Sequence, residues 1–405
     1  LREPEKNKAA SNGNGGSQND NSMLINADNM KKNHSHTQFL PPELMTDILL
    51  RLPVRSLLRF KCVCKSWLSQ ISDPQFGVSH FDLAASPTHR FLLIPNNHNY
   101  YAQSINTDMD RTLSNPLHIL VPLPQRDRYI PFKTHILGSC RGFILLYYAL
   151  TRDLILWNPS NAFHKQLPHF LCGLTRESLH GFGHDPSLDE YMLILIRLRV
   201  RALRYRTEIR VFSFKTNSRN TYSINVNSID DVRYNSILGE QFRPGLLLNG
   251  ALHWLVLSRD KNVLVIIAFD LIQRRLLEIP LLHMLTEETR KVFSLMVFRG
   301  CLGICCRVQD YAATEIWVMK EYKVHSSWTK SFHIPPSYGN PYNRFSPICD
   351  TKDGGIFGSN ITRFEKLNGR AVLQHFTYDS GQQLFRGSMY TESLLSLPSV
   401  TGANK

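Results

Sequence analysis

The sequence predicts a mainly β protein with a small helical segment near its N-terminus. The β part is propeller-like, with a β-sandwich as the alternative fold. Three observations carry that prediction. From about residue 88 to residue 390, short runs rich in Val, Ile, Phe, Tyr and Trp alternate with clusters of Gly, Pro, Asn and Asp. Those runs recur as one repeated unit rather than as unrelated strands. Ahead of them, the stretch from Leu40 to Phe76 places 18 apolar side chains among 37 residues at helical spacing.

Residues 1–38 are dominated by Asn, Ser, Gly and Lys and are nearly free of aromatics. They cannot bury enough apolar surface to offset the entropy of ordering, so a disordered polar tail is expected. Pro41 and Pro42 then stand where a helix should begin, with Glu43 in its first turn. Leu44, Ile48, Leu49 and Leu52 make a stripe at i, i+4, i+5 and i+8, and Pro53 ends it. A second helix is expected from Val54 or Arg55 to about Ile71, with Leu57, Phe60, Cys64, Trp67 and Ile71 on one face. Asp73–Pro74 stops it. Val54, Leu58, Cys62 and Val63 widen the apolar surface beyond that face. Two short helices cannot cover so broad a band by themselves. They pack either on the β region or on another protein's helices, and spacing alone leaves both open.

The β region starts after Pro87. Its recurring unit is a strand with Gly and apolar residues, a polar turn, and a second strand ending in an aromatic. An apolar-Pro step comes further on. The unit reads "GSCRGFILL…DLILWNPSNAFHKQLP", then "GLLLNGALHWLVL…VIIAFDLIQRRLLEIP", with weaker copies ending in "VFSFKTNS", "EIWVMKEYKVHSSW" and "FTYDSGQQLF". The matched aromatics are Trp157, Phe214, Phe269, Trp317 and Tyr378. Their spacing is long and irregular beside the ~40–50 residues of ordinary blades, and the region has room for about six. Four-stranded units that cannot hide their faces alone argue for a propeller; the irregular spacing keeps the sandwich open.

Composition narrows the function. The chain has 405 residues, 42% hydrophobic, with a formal net charge of +14. The first 36 residues hold five basic and four acidic side chains, so the excess lies in the body. That charge would steer acidic partners; no base-reading motif accompanies it, so nucleic acid is not the expected partner. The longest apolar runs, such as "LVIIAF" at 264–269, fall far short of the ~18 residues that span a bilayer. No signal peptide is expected, since no apolar core succeeds a basic start. The eight cysteines form no CxxC pair and read as reduced, mostly buried thiols of a cytoplasmic or nuclear protein. No cofactor or metal is expected. "GSCRG" has the outline of a nucleophile elbow around Cys140, but the strand "FILLYY" stands where that motif needs a helix.

The stretch "LPPELMTDILLRLPVRSLLRFKCVCKSWLSQISDPQF" resembles an F-box along its whole length. The β region resembles the F-box-associated domain of plant F-box and kelch-like proteins, the family that includes the S-locus F-box proteins. "GSCRGFILL", "LILWNPSNAFHKQLP", "GFGHDPSLDEYMLI", "LNGALHWLV" and "AFDLIQRRLLEIP" match that domain's recurrent phrases. The domains expected are then a tail over 1–38, an F-box over 39–84, a target-binding β domain over 88–395 and a short tail over 396–405.

The resemblance implies a non-catalytic subunit of an SCF-type ubiquitin ligase. The F-box would dock on a Skp-family adaptor, and through it on cullin, while the β domain binds an unidentified target protein. Pro41, Leu44, Ile48, Leu49, Leu52, Pro53, Leu57, Leu58 and Val63 become candidates for the adaptor interface, some of them holding the helices together instead. Phe60 and Trp67 are packing residues in this reading. The alternatives are an F-box protein that works outside a ligase as an adaptor-bound regulator, or an independent propeller that binds glycan or nucleic acid. Within "IRLRVRALRYRTEIR", Arg197, Arg199 and Arg201 alternate on one strand face, and Arg204, Arg206 and Arg210 lie across a turn from them. They read either as a charged, aggregation-resistant blade edge or as a basic rim for an acidic target.

Overall fold

Pro42 opens the first helix, α1 (Pro42–Leu50), and Pro53 lies between it and α2 (Val54–Phe60). The continuous helix expected to reach Ile71 is in fact two. Lys61–Val63 form a turn, and α3 (Lys65–Ser72) begins at Cys64, whose backbone is extended and whose Sγ accepts the Trp67 N–H at 3.4 Å. Cys64 is therefore a cap, not a face residue. Asp73–Pro74 ends α3 as expected, but it also starts α4 (Pro74–Leu83). Asp73 Oδ1 accepts the Gln75 N–H at 2.8 Å, and proline sits at the first helical position, where its missing N–H costs nothing.

The computed structural model describes residues 40–83, 89–94, 100–107, 116–124, 134–167, 178–201, 204–216, 224–225, 234–236, 244–258, 263–282, 291–308, 313–335, 345–360, 363–368, 371–377 and 386–397. The polar tail, most of 396–405, Cys172 and Tyr378 lie outside them. The chain divides into two compact units, Leu1–Met45 and Thr46–Lys405. The described part of the first is the opening of α1, where Met45 N–H donates to the Pro41 carbonyl at 3.0 Å. The second holds the rest of the helices and the whole β region.

Among the described residues, 25 strands form six sheets, the blades of a six-bladed β-propeller. Blade 1 holds β1 (His89–Ile94), β2 (Tyr101–Asn106) and β3 (Leu117–Leu120). Blade 2 is β4 (Thr134–Cys140), β5 (Phe143–Tyr148), β6 (Asp153–Trp157) and β7 (His164–Leu167). Blade 3 is β8 (Leu179–Asp185), β9 (Glu190–Arg201), β10 (Arg204–Ser213) and β11 (Ile224–Asn225). In blade 4 the innermost position is shared by β12 (Tyr234–Ser236) and β13 (Leu246–Leu248), both paired to β14 (Ala251–Ser258). Outside β14 come β15 (Val263–Asp270) and β16 (Leu276–Pro280). Blade 5 is β17 (Lys291–Phe298), β18 (Cys301–Val308), β19 (Thr314–Met319) and β20 (Trp328–Ile334). Blade 6 is β21 (Ser346–Asp350), β22 (Ile356–Ser359), β23 (Arg363–Asn368) and β24 (Ala371–Thr377). The last strand, β25 (Arg386–Thr391), pairs with β1 from His89↔Thr391 to Ile94↔Arg386 and closes the ring as the innermost strand of blade 1.

The apolar runs are long because middle strands are buried on both faces, each against a different neighbour. On β9, Leu193 and Leu195 enter a core shared with blade 2, while Met192, Ile194 and Ile196 enter one shared with blade 4. On β15, Val265, Ile267 and Phe269 face blade 3, and Leu264, Ile266 and Ala268 face blade 5. The cores between blades 5 and 6, 6 and 1, and 1 and 2 complete the circle. A sandwich would wet one face of each sheet and give polar-apolar alternation instead. The matched aromatics Trp157, Phe269 and Trp317 lie in the third strands of blades 2, 4 and 5, and Phe214 directly succeeds that of blade 3, so the sequence repeat is the blade.

Tight turns between first and second strands are glycine-marked. Arg141–Gly142, Asn249–Gly250 and Arg299–Gly300 have positive φ at both positions, the signature of two-residue hairpin turns whose twist matches the strands.

Candidate adaptor interface and its attachment to the propeller

The helical segment exposes much of its apolar surface. In the first unit, Leu40, Pro41 and Leu44 are exposed. In the second, Ile48, Pro53, Leu68 and Val63 are exposed, Val63 to 62%. Leu52 and Leu58 are half-buried. Leu49 (1% exposed) and Leu57 (0%) lie inside, so of the nine predicted interface residues these two are core instead. Fully covering a side chain of this size is worth about 1.5–3 kcal/mol, so the exposed group favours a partner that covers it. Phe60 and Trp67 pack against each other as tilted rings with centroids 5.2 Å apart, and Gln70 Nε2 donates to Thr46 Oγ1 at 2.6 Å. His80 Nε2 lies 2.8 Å from the Leu52 carbonyl, tying α4 to the α1–α2 corner. Cys62 and Cys64, expected as helix packing, are exposed in and beside the turn; Cys140, Cys305 and Cys306 are buried as expected.

The helices are fastened to the propeller by residues 392–397, a strap directly after β25. The buried Asn158 ("WNP" of blade 2) drives this. Its Nδ2 donates to the Ser393 carbonyl (3.1 Å), Ser393 Oγ (3.0 Å) and the Leu395 carbonyl (2.9 Å). Its Oδ1 accepts the Ser160 N–H, and Asn161 Nδ2 donates to the Leu394 and Leu395 carbonyls. Gly142 leaves room for Ser393: a Cβ there would sit 2.6 Å from the Ser393 Cβ. On its other side the strap meets α4, with the Leu394 carbonyl against Gly77, while Val78, Phe81 and Leu395 enter the core between blades 2 and 3. The Arg141 guanidinium lies 4.8 Å from the Phe81 ring centre and 3.5 Å from Asp82.

Glu392 is the charged pin of this joint. Its carboxylate lies 3.7 Å from Arg55 of α2 and 3.6 Å from Arg90 of β1, and Arg90 is itself held by Ser104 Oγ at 2.6 Å. Burial raises the Glu392 pKa above the ordinary carboxylate value, and the two guanidinium groups pull it partway back. A second tie at the same end joins two recurrent phrases. Arg274 of "AFDLIQRRLLEIP" reaches Asp185 of "GFGHDPSLDEYMLI" at 2.8 Å, from blade 4 to blade 3. Burial pushes the Asp185 carboxyl up, but Ser187's hydroxyl and amide together with Arg274 leave it below its usual range.

"GSCRG" ends β4 and turns directly into β5. Cys140 is buried and its thiol is pushed up to about 12, which leaves no thiolate for nucleophilic work. The predicted basic residues lie on the β9–β10 hairpin, whose register sets Arg197 opposite Glu208, Arg199 opposite Arg206 and Arg201 opposite Arg204. Both strands are interior to blade 3 as far as Ile196 and Glu208; among the described residues, the rungs beyond pair only with each other.

The sequence of these two parts matches known families. Residues 38–79 match the F-box domain, and residues 91–367 match the F-box associated beta propeller domain. The chain belongs to the F-box-associated propeller family. Relatives include an F-box/kelch-repeat protein of Arabidopsis thaliana, 28% identical over 73% of this chain and 79% of its own length. The F-box protein CPR1 of the same plant is 27% identical over 78% of each chain, and another Arabidopsis F-box protein is 26% identical over 89% and 90%. Among the described residues no helix is long and apolar enough to cross a membrane. For an F-box protein of this family, the residues that join the two parts, Asn158, Asn161, Glu392 and Ser393, escape a reading of the sequence alone. "WNPSN" is visible as a phrase, but the partner that explains it lies about 235 residues away.

Proposed function

We propose that this chain is the substrate-recognition subunit of an SCF-type ubiquitin ligase. F-box domains dock on Skp-family adaptors, which bind cullin; the propeller would hold the target protein. The observation that carries the reading is the joint. Helices with uncovered Ile48, Pro53, Val63 and Leu68 are pinned through Glu392 and Asn158 to one end of a rigid propeller. Such a body acts as a spacer. It raises the effective concentration of target lysines near a ubiquitin-charged enzyme held elsewhere on the scaffold, and needs no catalytic side chain of its own. This role places the protein in the cytoplasm or nucleus.

The test is co-purification of the full chain with a Skp-family adaptor. Ile48→Asp with Val63→Asp puts two charges into the proposed contact while leaving Leu49 and Leu57 untouched. Each buried, unpaired charge costs at least about 2 kcal/mol, so the adaptor's affinity should fall about a thousandfold with the unfolding midpoint unchanged. Equal adaptor binding by the variant, or none by the wild type, refutes the reading.

A further inference from the structure

The helical segment is one-signed as well as apolar. From Ile48 to Ser72 the chain carries five cations, Arg51, Arg55, Arg59, Lys61 and Lys65, and no Asp or Glu. Arg51, Arg55, Arg59 and Lys65 are exposed, and Lys61 is half-buried. Arg55 lies 3.7 Å from Glu392. Among the described residues the side chains of the other four have no ion pair or hydrogen bond. Burial lowers the Lys61 pKa, and no carboxylate opposes that shift.

This pattern does not serve the helices themselves. Arg55 and Arg59 stand four apart on α2, a spacing at which like charges repel. Neither α2 nor α3 has an acid in its first turn, and Lys65 is the first residue of α3, where the helix dipole disfavours a cation. A face that meets only water carries both signs at these spacings. Local rules broken this often in one short segment mark a surface that works against something else. The cations are also interleaved with uncovered apolar residues. Ile48 (45% exposed) and Pro53 bracket Arg51 in sequence, Val63 (62%) lies between Lys61 and Lys65, and Leu68 (47%) comes just after. An apolar centre with a charged surround is the make-up of a protein contact.

We propose that this band is the electrostatic half of the adaptor contact, fitted to an adaptor face that sets carboxylates around an apolar patch. The cations speed and orient docking, while the apolar residues hold the docked partner. The complement has to be a different protein. A second copy of this chain would bring the same band and a net charge of +14. The chain's own first 36 residues hold five basic and four acidic side chains, so they supply no acidic segment. Nucleic acid fits less well. Phe60 and Trp67, the aromatics of the segment, are half-buried and packed against each other, whereas single-strand binders offer rings for stacking. Phosphates also give no reason for exposed Ile48 and Val63. The inference rests on the reading of these helices as an adaptor dock.

The experiment measures association and dissociation rates of the full chain with a Skp-family adaptor. The association rate should fall at least tenfold from about 50 to about 500 mM salt, as screening shortens the reach of the charges from over 10 Å to about 4 Å. Arg59→Glu with Lys65→Glu should slow association at least tenfold at the low salt and less than threefold at the high salt. Dissociation should change less than threefold, since charges at the surround act on encounter. The melting temperature should stay level or rise, because the first substitution sets an acid four residues from Arg55 and the second puts one in the first turn of α3. Arg55 is left in place because it holds Glu392. A loss of association equal at both salts is a defect of structure and overturns the proposal. Polyuridine is the second probe. If it binds the wild type more tightly than the adaptor does and needs the same two residues, the partner is nucleic acid and the proposal falls. If the adaptor binds at a rate that salt and the variant leave unchanged, the steering proposal alone fails; if the wild type binds no adaptor, the receptor reading fails and the proposal with it.

Discussion

Replacing Asn158 tests the attachment of the helices most sharply. Its Nδ2 has two hydrogens and three acceptors in range, so one hydrogen is shared between two of them. Asn158→Ala removes the two hydrogen bonds that Nδ2 can donate and the one that Oδ1 accepts from the Ser160 N–H, about 3 kcal/mol together. The Leu395 carbonyl keeps the Asn161 amide at 3.2 Å, but the Ser393 carbonyl loses the Asn158 amide, a further cost of about 1–3 kcal/mol in a fully buried place. The expected loss is about 5 kcal/mol. At about 1.3 °C per kcal/mol for a domain this large, the melting temperature should drop about 6 °C.

Asn158→Asp separates donation from packing, because it keeps the shape and the Oδ1 that accepts Ser160 N–H. It also aims a carboxylate at two carbonyl oxygens with no cation in the contact set, so it should cost more than alanine. Urea or thermal unfolding measures both variants. Limited proteolysis with mass analysis of the C-terminus reports on the strap directly, and cleavage after Leu394 should accelerate in step with the loss. A cost under about 1 kcal/mol for alanine, or an aspartate variant milder than alanine, would refute the account of the strap as a hydrogen-bonded clamp.

Three further outcomes are expected. Gly142→Ala should cost well over 2 kcal/mol, since φ is +82° and the new Cβ meets Ser393 and lies 2.9 Å from the Thr391 carbonyl. Gly300→Ala, with φ +73° and nothing within 4 Å, should cost only about 1 kcal/mol; equal losses in chemical denaturation would contradict this. His180 is fully buried, and burial lowers its pKa from 6.5 to about 4. The unfolded chain therefore takes up the proton first, so stability is present above pH 6.5 and is lost as pH falls toward 4. The loss is about 2 kcal/mol by pH 5, with the depressed His184 and His253 adding in the same direction, and melting curves of His180→Leu should show a correspondingly flatter acid limb. With a maleimide at neutral pH, Cys62 and Cys64 should label quickly, and Cys140, Cys305 and Cys306 only after denaturation; mass mapping that finds Cys140 among the fast group would overturn the burial assigned to it.

The propeller is legible in the sequence because its construction leaves a local trace. Middle strands buried on both faces become uninterrupted apolar runs such as "LVIIAF", and turns with two positive φ angles favour glycine, which marks the second position of the Arg141–Gly142 and Asn249–Gly250 pairs. The helix break at Lys61–Cys64 is not legible. Leu57, Phe60, Cys64 and Trp67 keep helical spacing across it, and no Gly or Pro marks the spot. What breaks the helix is the extended backbone of Cys64. Asp73–Pro74 reads as a stop because the dipeptide is a stop; that it also starts the next helix depends on Asp73 turning its carboxylate to the Gln75 N–H. Of the predicted interface, Leu49 and Leu57 point inward because an apolar stripe wide enough for two jobs does not say which residue does which.

Pairings between distant residues leave no local trace, and they decide how the two parts of the molecule work together. β25 and β1 lie almost 300 residues apart in sequence, yet they are partners in blade 1. The helices enter that blade through α4, which precedes β1, and the strap leaves it directly after β25. Ring closure and attachment of the helices are therefore one structural event. Glu392 shows the coupling in a single side chain, since it meets Arg55 of the helices and Arg90 of the strand that β25 must find. A chain that fails to close its ring loses the hydrogen bonds of β25 to β1 and, with them, the position of Ser393 over Asn158 and of Glu392 between its arginines. Helices held in this way are presented rigidly only by a completed propeller. For a subunit whose proposed work is to hold a target at a set distance from an adaptor, that coupling withholds the set geometry from any chain whose binding domain is unfinished.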